Sequence, residues 1–364
     1  MDIAVVLLLF ASGLLLIFYG GGLLVSAAIR FGKITGWSSV IIGATVVSVA
    51  TSAPEIFISV LAVVRGNHGI AVGNAIGTII ANLALVMGLY IIFSKRPVLG
   101  RSARLESLFM VAVFLTLVLI SLNQVISVVE SLALISVFFA YIVLTYRKAR
   151  RTCMRTGVVN SEICAKNCEC KTIAKGATGA INIAGMTTIV SATGTMRAIG
   201  RARSSKKEVT KLVCGFVAGQ AFLIVGALLL VNNGERIADI LGISQTVIGF
   251  TIIAFGTASP ELVTVIQSAR QREAGIGFGN LVGANIINGT LLLGLGGVIA
   301  GLGGPSIVLP LSTVLFVLPL LLLLGLFIVV PMFAWGGTKR WQGYVLVAVY
   351  VLYLVYLFLT GRSQ

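Results

Sequence analysis

The sequence predicts an all-α, polytopic membrane protein with ten transmembrane helices in two inverted five-helix repeats. Three observations carry this prediction: an apolar composition, ten long apolar segments separated by charges, and a segment that occurs twice. Of the 364 residues, 58% are hydrophobic and 10% are charged, against roughly 45–50% and about 25% in soluble domains. Because such a chain lacks the polar surface to cover a water-soluble globule, its composition excludes a soluble enzyme.

Ten apolar segments are long enough to cross a membrane. About 20 apolar residues span a hydrocarbon core, and backbone groups in lipid must be satisfied internally, so each segment is expected to be helical. The segments are Ile3–Ala27, Ser38–Val64, Ile70–Phe93, Leu105–Leu122, Val125–Tyr146, Leu212–Val231, Ser244–Ala269, Ile276–Leu302, Ile307–Val330 and Gln342–Leu359.

The charges between these segments predict the orientation of the chain. The formal net charge is +16, from 27 Lys and Arg against 11 Asp and Glu. If both termini are extracellular, 24 of the 27 basic residues lie in inner loops, and only Arg65, Arg236 and Arg362 lie outside. The positive-inside rule therefore predicts a multi-pass protein of the cell membrane with a cytoplasmic central loop. No nucleic-acid recognition motif accompanies the charge, so we expect the lipid bilayer and not a nucleic acid as its partner.

One part of the chain occurs twice. Residues 41–90 and 247–296 match at 16 of 50 positions without a gap, and each copy covers the second and third segments of a five-segment half. Because five is odd, the second half crosses the membrane in the opposite sense, which predicts an inverted repeat with a substrate site at the midplane. The chain then divides into a first repeat (1–146), a basic cytoplasmic loop (147–211) and a second repeat (212–364).

The central loop contains two features with alternative interpretations. The uncharged stretch Gly176–Met196 is either an eleventh helix or a cytoplasmic or interfacial element, and its basic flanks favour the second. Four cysteines could bind Zn²⁺, but their irregular spacing is more typical of an incidental reduced cluster. They are Cys153, Cys164, Cys168 and Cys170.

Two acidic residues, Glu55 and Glu261, lie deep inside predicted helices and occupy matching positions of the two copies. Glu106 and Glu130 fall near helix ends, where snorkelling or interfacial water is expected to relieve them. A charged side chain at a helix centre costs roughly 2.5–3.5 kcal/mol on insertion scales, and no Lys, Arg or His lies deep in a predicted helix. The missing positive charge must therefore be a proton or a metal cation.

The backbone around these two residues favours a metal cation. Each Glu follows a proline, which has no N–H for the carbonyl four residues earlier. This frees the carbonyl oxygens of Ala50 and Gly256. It also disturbs the carbonyl oxygens of Thr51 and Thr257. Each broken helix thus offers carbonyl, hydroxyl and carboxylate oxygens together. Ca²⁺ takes about six to eight oxygens with some flexibility. Two carboxylates balance one Ca²⁺ or two Na⁺, and that equality is a basis for exchange.

The third and eighth segments carry matching glycines and amides. Their Gly-x3-Gly spacing permits close helix approach. Thr78 and Asn82 lie four residues apart on one helix face, so Asn82 can reach the same polar centre as the carboxylates, and Asn288 is its counterpart. Asn74 and Asn280 either belong to this centre or form hydrogen bonds between helices.

The paired blocks Thr-x2-Pro-Glu and Gly-Asn-x2-Gly-x4-Asn resemble the alpha repeats of prokaryotic sodium/calcium exchangers, a family of the cation/calcium antiporter superfamily. The resemblance covers these 100 residues closely and the rest of the chain by topology. It implies a ten-helix fold with four clustered cation sites, one favouring Ca²⁺ and others Na⁺. It also implies alternating access, in which the long first and sixth helices slide across the other eight.

The resemblance assigns the Ca²⁺ ligands by position. Glu55 and Glu261 would bind Ca²⁺ together with the main-chain oxygens of Thr51 and Thr257. No cofactor is implied beyond the transported Ca²⁺ and Na⁺, and neither an enzymatic activity nor an obligate protein partner is implied.

The resemblance also assigns Na⁺ ligands. Ser52 and the carbonyl of Ser48 would bind Na⁺ nearer the cytoplasm, and the carbonyl of Ala254 would bind Na⁺ nearer the outside. The middle of the site would be lined by Asn82, Asn288 and Thr78.

Three positions depart from the family's pattern. Ala258 and Ala284 stand where the family usually has serine, and Asn288 occupies a position that is acidic in some members. Two site carboxylates remain for Ca²⁺, whereas Na⁺ loses ligands. We therefore predict Ca²⁺/Na⁺ antiport, with exchange of H⁺ for Ca²⁺ or another divalent cation as the alternative. A cation channel is disfavoured by the inverted repeat, and an intramembrane hydrolase by the lack of a nucleophile–base pair.

Overall fold

Eleven helices account for most of the chain that the structure describes. The structure, a computed structural model, describes residues 3–35, 37–66, 68–94, 101–156, 180–183, 186–190, 196–198, 206–240, 254–303 and 307–361. The helices are α1 (Ile3–Thr35), α2 (Ser39–Thr51), α3 (Ala53–Val64), α4 (His68–Ile80, Ala81–Val86 and Met87–Phe93), α5 (Arg101–Ile120), α6 (Val128–Thr156), α7 (Lys206–Ile240), α8 (Ala254–Arg270), α9 (Ala274–Ile287, Asn288–Leu292 and Leu293–Gly303), α10 (Thr313–Val317 and Leu318–Ala334) and α11 (Arg340–Gly361). The strands are β1 (Val125–Ile126), β2 (Ala180–Ile183), β3 (Met186–Val190), β4 (Met196–Ala198) and β5 (Ile307–Val308).

Most of these helices are suited to a membrane. Within the described ranges, eight are long and apolar enough to cross a bilayer, and the bent pair α2 and α3 makes a ninth. Helix α8 has 17 described residues, because the predicted segment Ser244–Ala269 begins in 241–253, outside the described residues. The prediction of a polytopic, nearly all-helical membrane protein is confirmed, and the exact number of ten spans stays a prediction.

Two short strands join loops from the two halves of the chain. β1 pairs with β5 in antiparallel fashion, with Val125 opposite Val308 and Ile126 opposite Ile307. The prediction that Val125 and Ile307 begin helices is therefore wrong, because both residues form a backbone ladder before the next helix starts.

The central part of the chain contains three antiparallel strands in the order β2, β3, β4. Strands β2 and β3 lie within Gly176–Met196, so the described residues there form strands and not an eleventh helix. At four and five residues, they are shorter than the nine to eleven that a membrane-spanning strand needs. Three of the four loop cysteines, Cys164, Cys168 and Cys170, lie outside the described residues.

The two longest described helices, α1 and α7, pack against each other in opposite directions. Gly20 lies against Gly219, and Gly13 lies against Gly226. The earlier residue of α1 thus contacts the later residue of α7, as in an antiparallel pair. A Cβ added to Gly219 would come within 2.9 Å of the Gly20 carbonyl oxygen. Glycine at these positions therefore permits a close approach of the two backbones.

Glu106 in α5 is buried and forms an ion pair. This differs from the expectation that snorkelling or interfacial water relieves its charge. The Lys148 ammonium of α6 lies 3.1 Å from Oε1 of Glu106 and also donates to the carbonyl of Ser102 at 3.3 Å. The long lysine side chain reaches this position from the end of the predicted span. Glu130, in contrast, accepts hydrogen bonds from the backbone N–H and the hydroxyl of Ser127 at the start of α6, as in a capping box.

Glycines on α9 bring α2 close enough to place residues of the two repeat copies side by side. A side chain at Gly279 would overlap the backbone of Val40 and Ala44, and one at Gly283 would overlap Ala44 and the Ser48 hydroxyl. These glycines form the Gly-x3-Gly spacing of the second copy. The expected close helix approach is therefore confirmed for the second copy.

Candidate cation site

The site begins where α2 ends. Ser52 separates α2 from α3 with φ −81° and ψ 1°, and the two helices meet at 41°. Pro54, near the start of α3, has no N–H for the carbonyl of Ala50, while the Ser52 N–H donates to the Ser48 carbonyl at 2.9 Å. The predicted break of this helix is confirmed. Glu55 follows in the first turn of α3, where the positive end of the helix dipole favours a carboxylate.

The second copy differs from the first. Pro260 lies inside α8, which runs from Ala254 to Arg270 without a break, so the prediction of a second broken helix is wrong for the described residues. The carbonyl of Gly256 still lacks its α-helical donor, because proline has no N–H. Packing against neighbouring helices can accommodate proline inside a membrane helix. Glu261 therefore projects from a continuous helix, whereas its counterpart projects from a helix start.

Glu55 and Glu261 come together inside the protein. Both side chains have 0% exposure, and they are close enough for their charges to repel each other. Among the described residues, none of their four carboxylate oxygens has a donor in hydrogen-bonding geometry, although the Thr51 hydroxyl lies near Glu261. No Lys or Arg among the described residues forms an ion pair with either of them. The protein therefore concentrates two negative charges here without a cation of its own in the described part.

A reciprocal pair of hydrogen bonds frames these carboxylates. The Thr51 hydroxyl donates to Oδ1 of Asn280, and the Thr257 hydroxyl donates to Oδ1 of Asn74, both at 3.0 Å. Thr51 and Thr257 are counterparts in the two copies, as are the two asparagines, so each threonine contacts the asparagine of the other copy. The Thr78 hydroxyl completes the frame, 3.0 Å from that of Thr257.

The amides of this frame connect helices. Asn74 also donates to the carbonyl of Glu55 at 3.3 Å and to the hydroxyl of Ser59 at 2.9 Å. For Asn74 and Asn280, the geometry supports hydrogen bonding between helices over a direct place in the polar centre. Ser59 and the buried Thr264 were not predicted; each lies three or four residues after a site glutamate, on the same helix face.

Asn82 and Asn288 stand at matching π-helical turns, Ala81–Val86 in α4 and Asn288–Leu292 in α9. Such turns are frequent at functional sites. Both side chains have 0% exposure, and none of their amide atoms has a hydrogen-bond partner in the described part of the chain. The Ser52 hydroxyl is also buried and has no hydrogen-bond partner among the described residues. Buried polar atoms without a partner are rare in proteins, which marks these three residues for a role besides packing.

All ten predicted site residues are fully buried, with 0% exposure. They are Ser48, Thr51, Ser52, Glu55, Thr78, Asn82, Ala254, Thr257, Glu261 and Asn288. The carbonyl oxygens of Ser48 and Ala254 lie 3.3 Å and 3.2 Å from the Thr51 and Thr257 hydroxyl oxygens.

The chemistry of this region suits a hard cation. Its donors are carboxylate, amide, hydroxyl and carbonyl oxygens, which Na⁺ and Ca²⁺ prefer. The described residues contain no group of three or more His, Cys, Asp or Glu, the kind of cluster that holds Zn²⁺.

The sequence profile of the family described as "Sodium/calcium exchanger protein" matches residues 5–147 and 211–359. These two stretches cover most of the chain and both copies of the repeated segment. The chain belongs to the sodium/calcium exchanger family. The match leaves out only the central residues 148–210 and the two ends, so both carboxylates lie within the part that defines the family.

Relatives of this exchanger-family chain match it over almost their whole length. "Sodium/calcium exchanger MaX1" of Methanosarcina acetivorans is 29% identical over 359 residues, 98% of this chain and 99% of that protein. The uncharacterized membrane protein MJ0091 of Methanocaldococcus jannaschii is 28% identical over 343 residues, 94% and 95% of the two chains. A solved structure of the sodium-calcium exchanger NCX_Mj, soaked with 2.5 mM Na⁺ and 0.1 mM Ca²⁺, has a TM-score of 0.71 at 25% identity and covers 96% and 98%.

The reciprocal hydrogen bonds predict matched effects of two substitutions. Thr51→Val and Thr257→Val each keep the side-chain shape and remove one donor to a buried asparagine, so each should lower the free energy of unfolding by about 1–3 kcal/mol. Denaturation of the purified protein in detergent measures this change. Thr116→Val is the control, because the Thr116 hydroxyl bonds only within its own exposed turn. Equal stability of all three variants and the wild type would contradict the frame.

Proposed function

We propose that this chain is a secondary active antiporter that exchanges Ca²⁺ for Na⁺ across the membrane by alternating access. The observation that carries the proposal is the pair Glu55 and Glu261, fully buried, close together and without a hydrogen-bond donor from the described residues on any carboxylate oxygen. Two like charges in a low-dielectric interior need compensation by positive charge. Since none of the described basic residues supplies it, a cation cargo does.

The charge of the site determines what the cargo can be. Two carboxylates balance one Ca²⁺, two Na⁺ or two protons. Each of these loads makes the site neutral, so one load can replace another. The neutral site can then open to either side of the membrane at low electrostatic cost. A divalent ion and two monovalent ions are therefore equivalent occupants.

The proposed Ca²⁺ ligands are the carboxylates of Glu55 and Glu261 and the main-chain oxygens of Thr51 and Thr257. They unite carboxylate and carbonyl oxygens from both repeat copies, which is the kind of shell that Ca²⁺ accepts. The threonine hydroxyls are occupied by the asparagine frame, which supports a role for the main-chain oxygens and not the hydroxyls.

The proposed Na⁺ ligands lie on either side of this shell. Ser52 and the carbonyl of Ser48 serve the position nearer the cytoplasm, and the carbonyl of Ala254 serves the position nearer the outside. The middle is lined by Asn82, Asn288 and Thr78. The unpartnered oxygens of Ser52, Asn82 and Asn288 support this assignment, whereas Thr78 contributes through its bond to the frame.

We propose that the ten helices form two inverted five-helix repeats. The reciprocal threonine–asparagine bonds and the matching π turns support a twofold relation between the copies. The antiparallel contact of α1 and α7 supports opposite directions for the first helix of each half. The β1–β5 pair supports an even number of crossings between residues 126 and 307. The excess of basic residues in alternate loops supports extracellular termini and a cytoplasmic central loop.

Proton coupling is the second candidate. Ala258 is 2% exposed and Ala284 is 0% exposed, so both face the protein interior where the first copy has the hydroxyls of Ser52 and Thr78. The second copy therefore offers Na⁺ fewer oxygens. Protonation of Glu55 and Glu261 neutralises the site without those ligands. The name "Sodium/calcium exchanger MaX1", carried by a relative, supports Na⁺ as the first candidate.

Radioactive Ca²⁺ uptake into proteoliposomes tests the proposal. An outward Na⁺ gradient is expected to drive uptake, and an outward H⁺ gradient at matched membrane potential is expected to drive little. Glu55→Gln and Glu261→Gln should each reduce Na⁺-driven uptake by at least 100-fold, because each removes one of two charges that balance Ca²⁺; loss of a partner in a buried charge cluster costs about 3–5 kcal/mol.

Glu130→Gln is the matched control, because Glu130 is an acidic residue at a helix start outside the site. Its uptake should equal that of the wild type. Uptake driven only by protons would replace Na⁺ with H⁺ as the coupling ion. Wild-type uptake rates in either site variant would contradict the assignment of the carboxylates.

Ca²⁺ uptake is also expected to be independent of membrane potential. Exchange of two monovalent ions for one Ca²⁺ at a site with two carboxylates moves no net charge. The measurement is uptake at a fixed Na⁺ gradient, with the potential set by K⁺ and valinomycin. Faster uptake at inside-positive potential would indicate three Na⁺ per Ca²⁺ and contradict this stoichiometry. Faster uptake at inside-negative potential without a Na⁺ requirement would indicate a channel.

A further inference from the structure

Tyr141 of α6 contacts α2 at a third π-helical turn. The turn covers Gly43–Val47, and the Tyr141 hydroxyl donates to the carbonyl oxygen of Ala44 at 3.0 Å. The Tyr141 side chain is 2% exposed, and its ring packs on Phe109 with 5.1 Å between centroids. A buried hydrogen bond thus joins α6, outside the repeated segment, to the helix that leads into the carboxylate site.

The π turn explains why the Ala44 carbonyl needs a side-chain donor. In an α-helix this oxygen would accept the N–H of Ser48, four residues later. Here the Ser48 N–H donates to the carbonyl of Gly43, five residues earlier, as is typical of a π turn, and is shared with the carbonyl of Thr45. The Ala44 carbonyl thereby loses its α-helical donor, and the Tyr141 hydroxyl takes that place. Tyr141 therefore stabilises the π register of α2 against the α register.

The register of α2 decides where the site residues point. A shift of one residue turns the rest of a helix by about 100° around its axis, and the residues after the turn include Ser48 and Thr51. We propose that Tyr141 is a positioning residue: its hydroxyl holds α2 in the π register and so aims Ser48 and Thr51 at the cations. This inference rests on the proposed function, because those two residues are proposed ligands.

The ion pair between Lys148 and Glu106 helps to keep the Tyr141 hydroxyl directed at Ala44. The carboxylate of Glu106 lies beside this hydroxyl and is a competing acceptor. Its ion pair with Lys148, at 3.1 Å, weakens that competition. The second repeat has Tyr353 at the corresponding position, because Gly343 and Val347 of α11 contact Gly88 as Ser131 and Ile135 of α6 contact its counterpart Gly294.

Tyr141→Phe tests the proposal, because it keeps the ring and its contact with Phe109 and removes the hydroxyl. The Na⁺ and Ca²⁺ concentrations for half-maximal transport should each rise about fivefold, the effect of one lost buried hydrogen bond. The maximal rate per folded protein should stay within about twofold. The control is Tyr344→Phe in α11, which removes the hydroxyl of an exposed tyrosine and should leave both concentrations unchanged.

A double-mutant cycle tests the role of the ion pair. Lys148→Met frees Glu106 to accept the Tyr141 hydroxyl, so it should raise the same two concentrations in the wild type and have no further effect in Tyr141→Phe. Additive effects would overturn the coupling. If the concentrations for half-maximal transport are unchanged in Tyr141→Phe and only the unfolding temperature falls, Tyr141 contributes to packing alone. That result would overturn the proposal.

Hydrogen exchange over residues 43–51 gives a readout that does not depend on transport. In Tyr141→Phe, the amides of this turn, including that of Ser48, should exchange at least fivefold faster than in the wild type, because a turn that alternates between the π and α registers breaks its backbone hydrogen bonds at each switch. Unchanged exchange would overturn the positioning role even where the wild type transports Ca²⁺. Faster exchange in a chain that transports no Ca²⁺ would support the π-register bond and overturn the proposed function alone.

Discussion

The repulsion between two buried carboxylates is the constraint on which the rest of this structure depends. The side chains of Glu55 and Glu261 are both fully buried, and their negative charges repel each other. Such a pair cannot be neutralised by the basic side chains that the structure describes, and insertion of a charge into a membrane is costly. An exchange of cations accounts for this cost, because each bound cation supplies the compensating charge. When one cation leaves, the two carboxylates attract another.

The surrounding helices hold the two carboxylates in place without neutralising them. Threonine and asparagine side chains bond across the two repeat copies, and glycines let the backbones of α2 and α9 approach closely. Both devices are typical of membrane proteins, where helix association relies on close packing and on polar bonds between helices. Among the described residues, the buried oxygens that take no part in this frame include those of the carboxylates, Asn82, Asn288, Ser52 and Thr264. All but Thr264 are proposed to bind ions.

The sequence predicted the carboxylate pair better than the backbone around it. Glu55 and Glu261 were identifiable because they are repeated, acidic and remote from any basic residue. The two prolines gave the same local signal, yet only Pro54 breaks its helix, since packing and not the motif decides whether a membrane helix tolerates Pro260. Two-residue strands carry no periodic signal, so the β1–β5 pair could not be predicted. The bond of Tyr141 to α2 joins residues 97 positions apart, and a single tyrosine in an apolar segment does not reveal such a contact.

Direct Ca²⁺ binding to the purified protein tests the central claim, that Glu55 and Glu261 together bind one Ca²⁺ as cargo. Equilibrium dialysis with radioactive Ca²⁺ in detergent gives the stoichiometry without any need for coupled transport. We expect one bound Ca²⁺ per chain, displaced by Na⁺, and no bound Ca²⁺ in Glu55→Gln or in Glu261→Gln. Binding that persists in a variant with both substitutions, or that Na⁺ does not displace, would contradict it.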